Sequence, residues 1–345
     1  MMQILKTILL IPVWMLALLT PAKSFQNNPI IGSVFLNRIG LHVVRLVKAR
    51  VLVRIRWWML SPLLAKDRRK EFHENGFLVI EDFLSAGQVS ELRQEIKTHS
   101  GDTRQMLQGD TATQRFLLDR ITLTGKAALS EIVNNKSFLN PLRYGAASLM
   151  PPLLYIQRIR NGHRDAGADP QKNMHSDTFH PTMKAWLFLE DVPAEHGPFT
   201  YVRGSNRLTW KRLKWEYRRS LTAKSDPDGY SEKGSFRATS DDLQEMGLPS
   251  PEGLAVKAGT LVVANTNGFH GRGQAQPGTS RLEVWAYSRP TPFNPLPGLP
   301  FKWISKLQMN VLKWHWRRKD NEAARKNSRA SWHLIPAEEM TDFEP

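Results

Sequence analysis

No cysteine occurs among the 345 residues. Disulfide staples, thiolate nucleophiles and cysteine-held zinc are thereby excluded, and any metal site must draw on histidine and carboxylates. Acidic residues are missing from one whole region: residues 1–66 contain no Asp or Glu. A long apolar run is missing too. The uncharged stretch Thr7–Ala22 falls short of the roughly 20 residues that a comfortable membrane span needs. No internal repeat or low-complexity tract is evident. What is abundant is positive charge, with a formal net of +16. Such a balance points to an anionic partner: a membrane surface, a nucleic acid or an acidic substrate.

The chain divides into four zones. Residues 1–25 form a hydrophobic N-terminal anchor or signal segment, with Lys6 before the apolar stretch and Ala22 as a candidate cleavage residue. A retained anchor is the preferred reading; a cleaved signal and an organelle transit or interfacial segment stay open. Residues 26–66 read as a basic, amphipathic, membrane-proximal segment. The run Arg50–Arg56 followed by Trp57 and Trp58 has the composition of a helix lying among headgroups, with basic stems in the apolar zone. The alternative is a helix packed on the catalytic domain with its arginines exposed. Positive charge after the apolar stretch favours a membrane-associated protein whose catalytic domain is cytoplasmic; secretion and an organelle remain alternatives. Residues 67–290 form the catalytic domain. Residues 291–345 are a basic, Trp-containing extension, either a second membrane-facing patch or a nucleic-acid patch. No helix-turn-helix, zinc-finger or RNA-binding signature accompanies it, so no nucleic-acid partner is expected.

Within 67–290 the helices come first. Ser85 precedes Gln88 as a capping pair, and Val89, Leu92 and Ile96 follow at helical spacing. From Leu153 onward short strands alternate with Gly, Pro, Asn and Asp: Leu153–Arg160, Lys184–Val192, Phe199–Arg203, Gly259–Asn265 and Arg281–Ser288. The pattern predicts a mainly β fold with flanking helices, a sandwich or barrel.

His175-Ser176-Asp177 carries the chemistry. Residues two apart on a strand point to one side, so both side chains can reach one ion. A lone His-x-Asp is a weak signal. It is strengthened by His270, which follows an apolar strand and the turn Asn267-Gly268. Two histidines and one carboxylate on one face leave open positions, the arrangement of non-haem iron(II) oxygenases. Arg281 opens a further strand eleven residues on, an offset that fits a hairpin with the His270 strand. Its guanidinium can pair bidentately with a carboxylate.

These residues resemble the phytanoyl-CoA dioxygenase family over about Phe72 to Pro290. Phe72–Phe83 is similar to its opening helix and strand, His175–Asp177 to its first two ligands, and Lys184–Arg207 to its strand, turn and "PGSH" segment. Gly259 to Arg281 is similar to its last ligand strand and co-substrate arginine. The resemblance implies a double-stranded β-helix (a cupin-like jelly roll) with Fe(II), 2-oxoglutarate and O2. His175, Asp177 and His270 would hold the metal, Arg281 the co-substrate, and Gln157 and Trp186 would line its pocket. It implies hydroxylation of a small-molecule or lipid-like substrate, since halogenating relatives lack the carboxylate that Asp177 retains. Arg203 and Asn206 depart from the family's Pro and His, and Arg272 replaces a small hydroxyl residue. A catalytically inert membrane-associated scaffold of the same fold, and a metal-dependent isomerase, are the competing readings.

Overall fold

The alternation of Arg281–Tyr287 has the consequence its period dictates. Leu282, Val284 and Ala286 are buried against helices on one face of their strand, while Arg281, Trp285 and Tyr287 line a cavity on the other. The computed structural model describes residues 2–343. Its first half contains α1 (Met2–Ala17), α2 (Val34–Arg38), α3 (Leu41–Met59), α4 (Lys66–Asn75), β1 (Phe77–Ile80), α5 (Ala86–Lys97), β2 (Thr103–Gln108), β3 (Thr111–Leu117), α6 (Ala127–Asn134), α7 (Lys136–Ala146) and β4 (Leu153–Arg160). There follow β5 (Met183–Phe188), β6 (Phe199–Tyr201), α8 (Trp210–Thr222), α9 (Ser240–Met246), β7 (Glu252–Leu254), β8 (Leu261–Asn265), β9 (His270–Arg272), β10 (Ser280–Ser288), α10 (Lys302–Ala324), β11 (His333–Ile335) and α11 (Glu338–Thr341).

Two antiparallel sheets form a jelly roll. The large one runs β1-β8-β5-β10-β4-β3-β2-β11 and the small one β7-β6-β9. An isolated bridge between His175 and His270 extends the small sheet. Between the sheets lies an aromatic core that includes Trp186, Phe199 and Tyr201. The far face of the large sheet is covered by α5, α6 and α7 through Leu92, Ile96, Leu129, Phe138 and Leu142. The Ser85–Gln88 capping box is present, and Val89, Leu92 and Ile96 are the buried face of α5.

The N-terminal zones depart from expectation. Among the described residues no helix is long and apolar enough to cross a membrane. Nor does the basic segment lie apart from the catalytic domain with its charges outward. Leu46, Ala49, Val53 and Trp57 of α3 are buried, and Val53, Trp57 and Leu60 join the same core as Phe72, Leu142 and Val263. His42, Arg45 and Arg56 turn inward with them, because buried carbonyls and carboxylates await them there, while Lys48 and Arg54 stay exposed. Arg45 donates to the carbonyls of Leu18, Thr20 and Ala22, Arg56 to that of Thr291, and His42 meets Glu216 at 2.9 Å. Unpaired, such carbonyls would each cost roughly 1–3 kcal/mol. The C-terminal extension is likewise tied down: β11 pairs with β2, and Asp320 of α10 grips Arg104.

Candidate metal centre

His175 and His270 exchange both main-chain hydrogen bonds at 2.9 Å. Residues paired in this way project their side chains to the same face, and the imidazole centroids stand 4.5 Å apart. Asp177, two residues on, returns to that face. Its Oδ1 lies 3.8 Å from His175 Nε2 and 3.7 Å from His270 Nε2. One ligand atom from each of the three falls within 4.8 Å of the others.

Main-chain carbonyls set the histidine tautomers. His175 Nδ1 meets the Asn173 carbonyl at 2.8 Å and His270 Nδ1 the Gly268 carbonyl at 3.0 Å. A carbonyl only accepts, so each neutral ring carries its proton on Nδ1 and turns the Nε2 lone pair toward the cluster. Burial pushes His175 well below the usual imidazole range and His270 down to about 4. Burial opposes ionisation of Asp177, yet Lys184, with His270 and His175, outweighs it and holds that carboxyl well below the usual range. Lys184 Nζ sits 2.8 Å from Asp177 Oδ2. At neutral pH the trio is therefore two neutral imidazoles and a carboxylate, the state a divalent metal takes. His270 Nε2 is buried without a hydrogen-bond partner.

The turn before His270 is held from several sides. Tyr201 Oη donates to the Asn265 carbonyl at 2.8 Å, and Phe269 N donates to Ser205 Oγ at 2.8 Å. Arg50 of α3 reaches the Asn267 side chain. The N-terminal segment thus buttresses the site from outside the strands that carry it.

A cavity of about 350 Å³ opens over the cluster. Gln157, Trp186 and Arg281 all line it. The hairpin anticipated between the strands of His270 and Arg281 is not formed. β9 pairs with β6 and β10 with β4 and β5, because the connection crosses from one sheet to the other. Arg281 still faces the cavity, and it comes with a partner the sequence reading missed. Glu283 Oε2 lies 3.3 Å from Arg281 Nε, and Gln157 Nε2 donates to Glu283 Oε1 at 2.7 Å. Burial pushes the Glu283 carboxyl up despite Arg281. The spacing of Arg281 and Glu283 on one strand face is the signal that was available. Arg272 is similarly engaged, 2.6 Å from Asp169. Arg203 pairs with Glu252, and Asn206 donates to the His73 carbonyl.

The other end of β10 leads to a cationic mouth. Arg289, Lys184 and Lys23 line the cavity there. Lys23 arrives from the segment after α1 and donates to the Asp177 carbonyl. Burial lowers it to about 8, against the attraction of Asp177 and with the help of Arg289 and Lys184. Arg289 in turn donates to the Pro21 carbonyl. No motif in the sequence marks Lys23, since only the folded strap brings it to the site.

Comparison with known proteins gives one family. The model described as phytanoyl-CoA dioxygenase (PhyH) matches residues 72–281. No curated protein matches the chain. Among solved structures, the chain is similar to the non-haem alpha-ketoglutarate-dependent epimerase SnoN from nogalamycin biosynthesis. That match has 21% identity over 66% of this chain and 82% of SnoN, with a TM-score of 0.44. HygX from Streptomyces hygroscopicus, with nickel and 2-oxoglutarate bound, is 20% identical over 65% of this chain and 86% of its own, with a TM-score of 0.39. The carbocyclase SnoK is 18% identical over 70% and 90%, with a TM-score of 0.40.

Proposed function

The chain belongs to the phytanoyl-CoA dioxygenase family, and from that premise we propose that it is an iron(II)- and 2-oxoglutarate-dependent hydroxylase acting on an anionic or lipid-like substrate. One observation carries the reading: two neutral imidazoles and an ionised carboxylate converge within 4.8 Å, with His270 Nε2 buried and unpartnered. A buried polar atom left without a partner is costly unless something else binds it. This donor set fits iron(II) held by His175, Asp177 and His270. When bound, the metal with 2-oxoglutarate and O2 supplies oxidation of a C–H bond coupled to release of succinate and CO2.

The chain's own residues bind and orient. Arg281, held by the Gly197 carbonyl and met by the Glu283 carboxyl, which competes for its guanidinium, is placed to receive the far carboxylate of 2-oxoglutarate. Trp186, with the Phe199 ring tilted against it at a centroid distance of 4.3 Å, walls that end against water. Gln157 orients Glu283. Lys23, Arg289 and Lys184 favour a substrate that carries a carboxylate, phosphate or sulfate group.

The test is succinate release from 2-oxoglutarate by the full-length, iron-loaded chain, with Asp177→Ala alongside. Release in the parent and loss in the variant is the expected result. Equal release in both removes the metal assignment. No iron binding by a folded chain returns the inert-scaffold reading.

A further inference from the structure

α3 is apolar on the side that faces away from the domain. Val44, Val47, Val51, Ile55 and Trp58 recur at helical spacing and are all exposed, Trp58 by 77%. Val34, Phe35 and Ile39 of the adjoining α2 segment are exposed as well. Among the described residues of 72–281, by contrast, only Ile121 and Trp210 are large apolar side chains left exposed. Apolar surface gathered in this way marks a docking face.

Beside the stripe, between α3 and α4, lies a second cavity of about 750 Å³. Val47, Val51 and Trp58 form part of its lining, and Arg54, Lys66, Arg69, Lys70 and Arg207 form another part. No Asp or Glu lines it. Lys70 approaches Glu74 only at 4.0 Å on open surface. Like charges collected with no carboxylate in the lining repel one another, and an anion seated among them relieves that repulsion.

We infer that this face docks on an anionic phospholipid surface. The stripe of α3 lies at the boundary of headgroups and acyl chains, and a headgroup phosphate enters the basic cavity. Charge selects this occupant. Residues 1–66 contain no acidic residue, and a second copy of the chain would bring an equally basic cavity to a face-to-face contact. α3 lies along the surface and does not cross it. The inference stands on surface residues away from the metal ligands and is independent of the catalytic reading.

Cosedimentation of the full-length chain with phosphatidylcholine vesicles, with and without phosphatidylglycerol, tests it. Val51, Arg54, Trp58 and Lys66 are exposed, so Val51→Asp/Trp58→Asp and Arg54→Glu/Lys66→Glu should keep the circular dichroism melt of the parent. The parent should pellet with anionic vesicles only, and release as salt is raised. Each double variant should lower the bound fraction at least tenfold. Pelleting that ignores phosphatidylglycerol, no pelleting at all, or binding retained by either variant overturns the proposal. So does a lipid-free dimer, seen by sedimentation velocity, that Val51→Asp/Trp58→Asp dissolves. Protection of the cavity by inorganic phosphate without vesicle binding also overturns it.

Discussion

His175 and His270 exchange both of their main-chain hydrogen bonds, and this single antiparallel pair brings together two residues far apart in sequence. It fixes the backbone under both imidazoles, while the carbonyls of Asn173 and Gly268 fix the rings. The geometry is therefore preset before any ion arrives. His270→Ala removes one ligand of three and should weaken iron(II) binding by more than about a hundredfold. Equilibrium dialysis against iron(II) under anaerobic conditions reads this directly, and unchanged binding would detach His270 from the site.

Arg281 and Glu283 form the second testable pair. Arg281→Ala removes charged hydrogen bonds worth roughly 1.5–3 kcal/mol. The KM for 2-oxoglutarate should rise by about 10- to 150-fold, measured by succinate release. Glu283→Gln leaves the guanidinium without its competing carboxylate, so that KM should fall. A rise of KM in Glu283→Gln would instead make Glu283 part of what keeps Arg281 in position.

Much of this was legible in sequence, and the limits have physical causes. The strands at Leu153–Arg160, Gly259–Asn265 and Arg281–Ser288 were readable within a residue or two because period-2 alternation and Gly/Asn turns are local. The His175-x-Asp177 spacing was readable for the same reason. The two readings of α3, among headgroups or packed on the domain, were not separable in sequence, because Arg, Val and Trp have the same composition whether they meet headgroups or buried carbonyls. Only the fold shows Arg45 reaching Leu18, Thr20 and Ala22. Lys23 was invisible as a site residue because its role depends on partners supplied by distant segments, whereas Glu283 shares a strand face with Arg281 and carried a local signal.

A fragment beginning at Asp67 should not fold as a stable domain. It loses Leu46, Val53 and Trp57 from the core, each worth roughly 1.5–3 kcal/mol when buried. It also loses the clamps of Arg50 and His42. Those losses approach the whole margin of about 5–15 kcal/mol that a domain possesses. Calorimetry of the fragment should show no cooperative transition where the full chain shows one. A sharp transition at the parent's temperature would separate residues 1–66 from the domain after all.

Glu216 predicts an acid dependence. Burial opposes its ionisation, yet Arg212 and His42 hold the carboxyl down to about 2 from 4.5. A depressed carboxyl lends stability that is full above the unfolded value and vanishes as pH falls through the folded one. The contribution is roughly 3 kcal/mol, lost between about pH 4.5 and 2. Glu216→Gln should flatten that part of the urea-unfolding profile. It should also destabilise the chain at neutral pH, where Arg212 is left buried without its partner. An unchanged acid limb would place the dependence in other carboxylates.

The central claim is met most directly by anaerobic visible spectroscopy of the full-length chain. Iron(II) is added first and 2-oxoglutarate second, with His175→Ala as control. A metal-to-ligand charge-transfer band that grows with 2-oxoglutarate in the parent and is absent from the variant is the predicted result. A folded parent that binds iron(II) and gives no band, or a variant with the same band, would contradict the assignment of His175, Asp177 and His270 as the iron site.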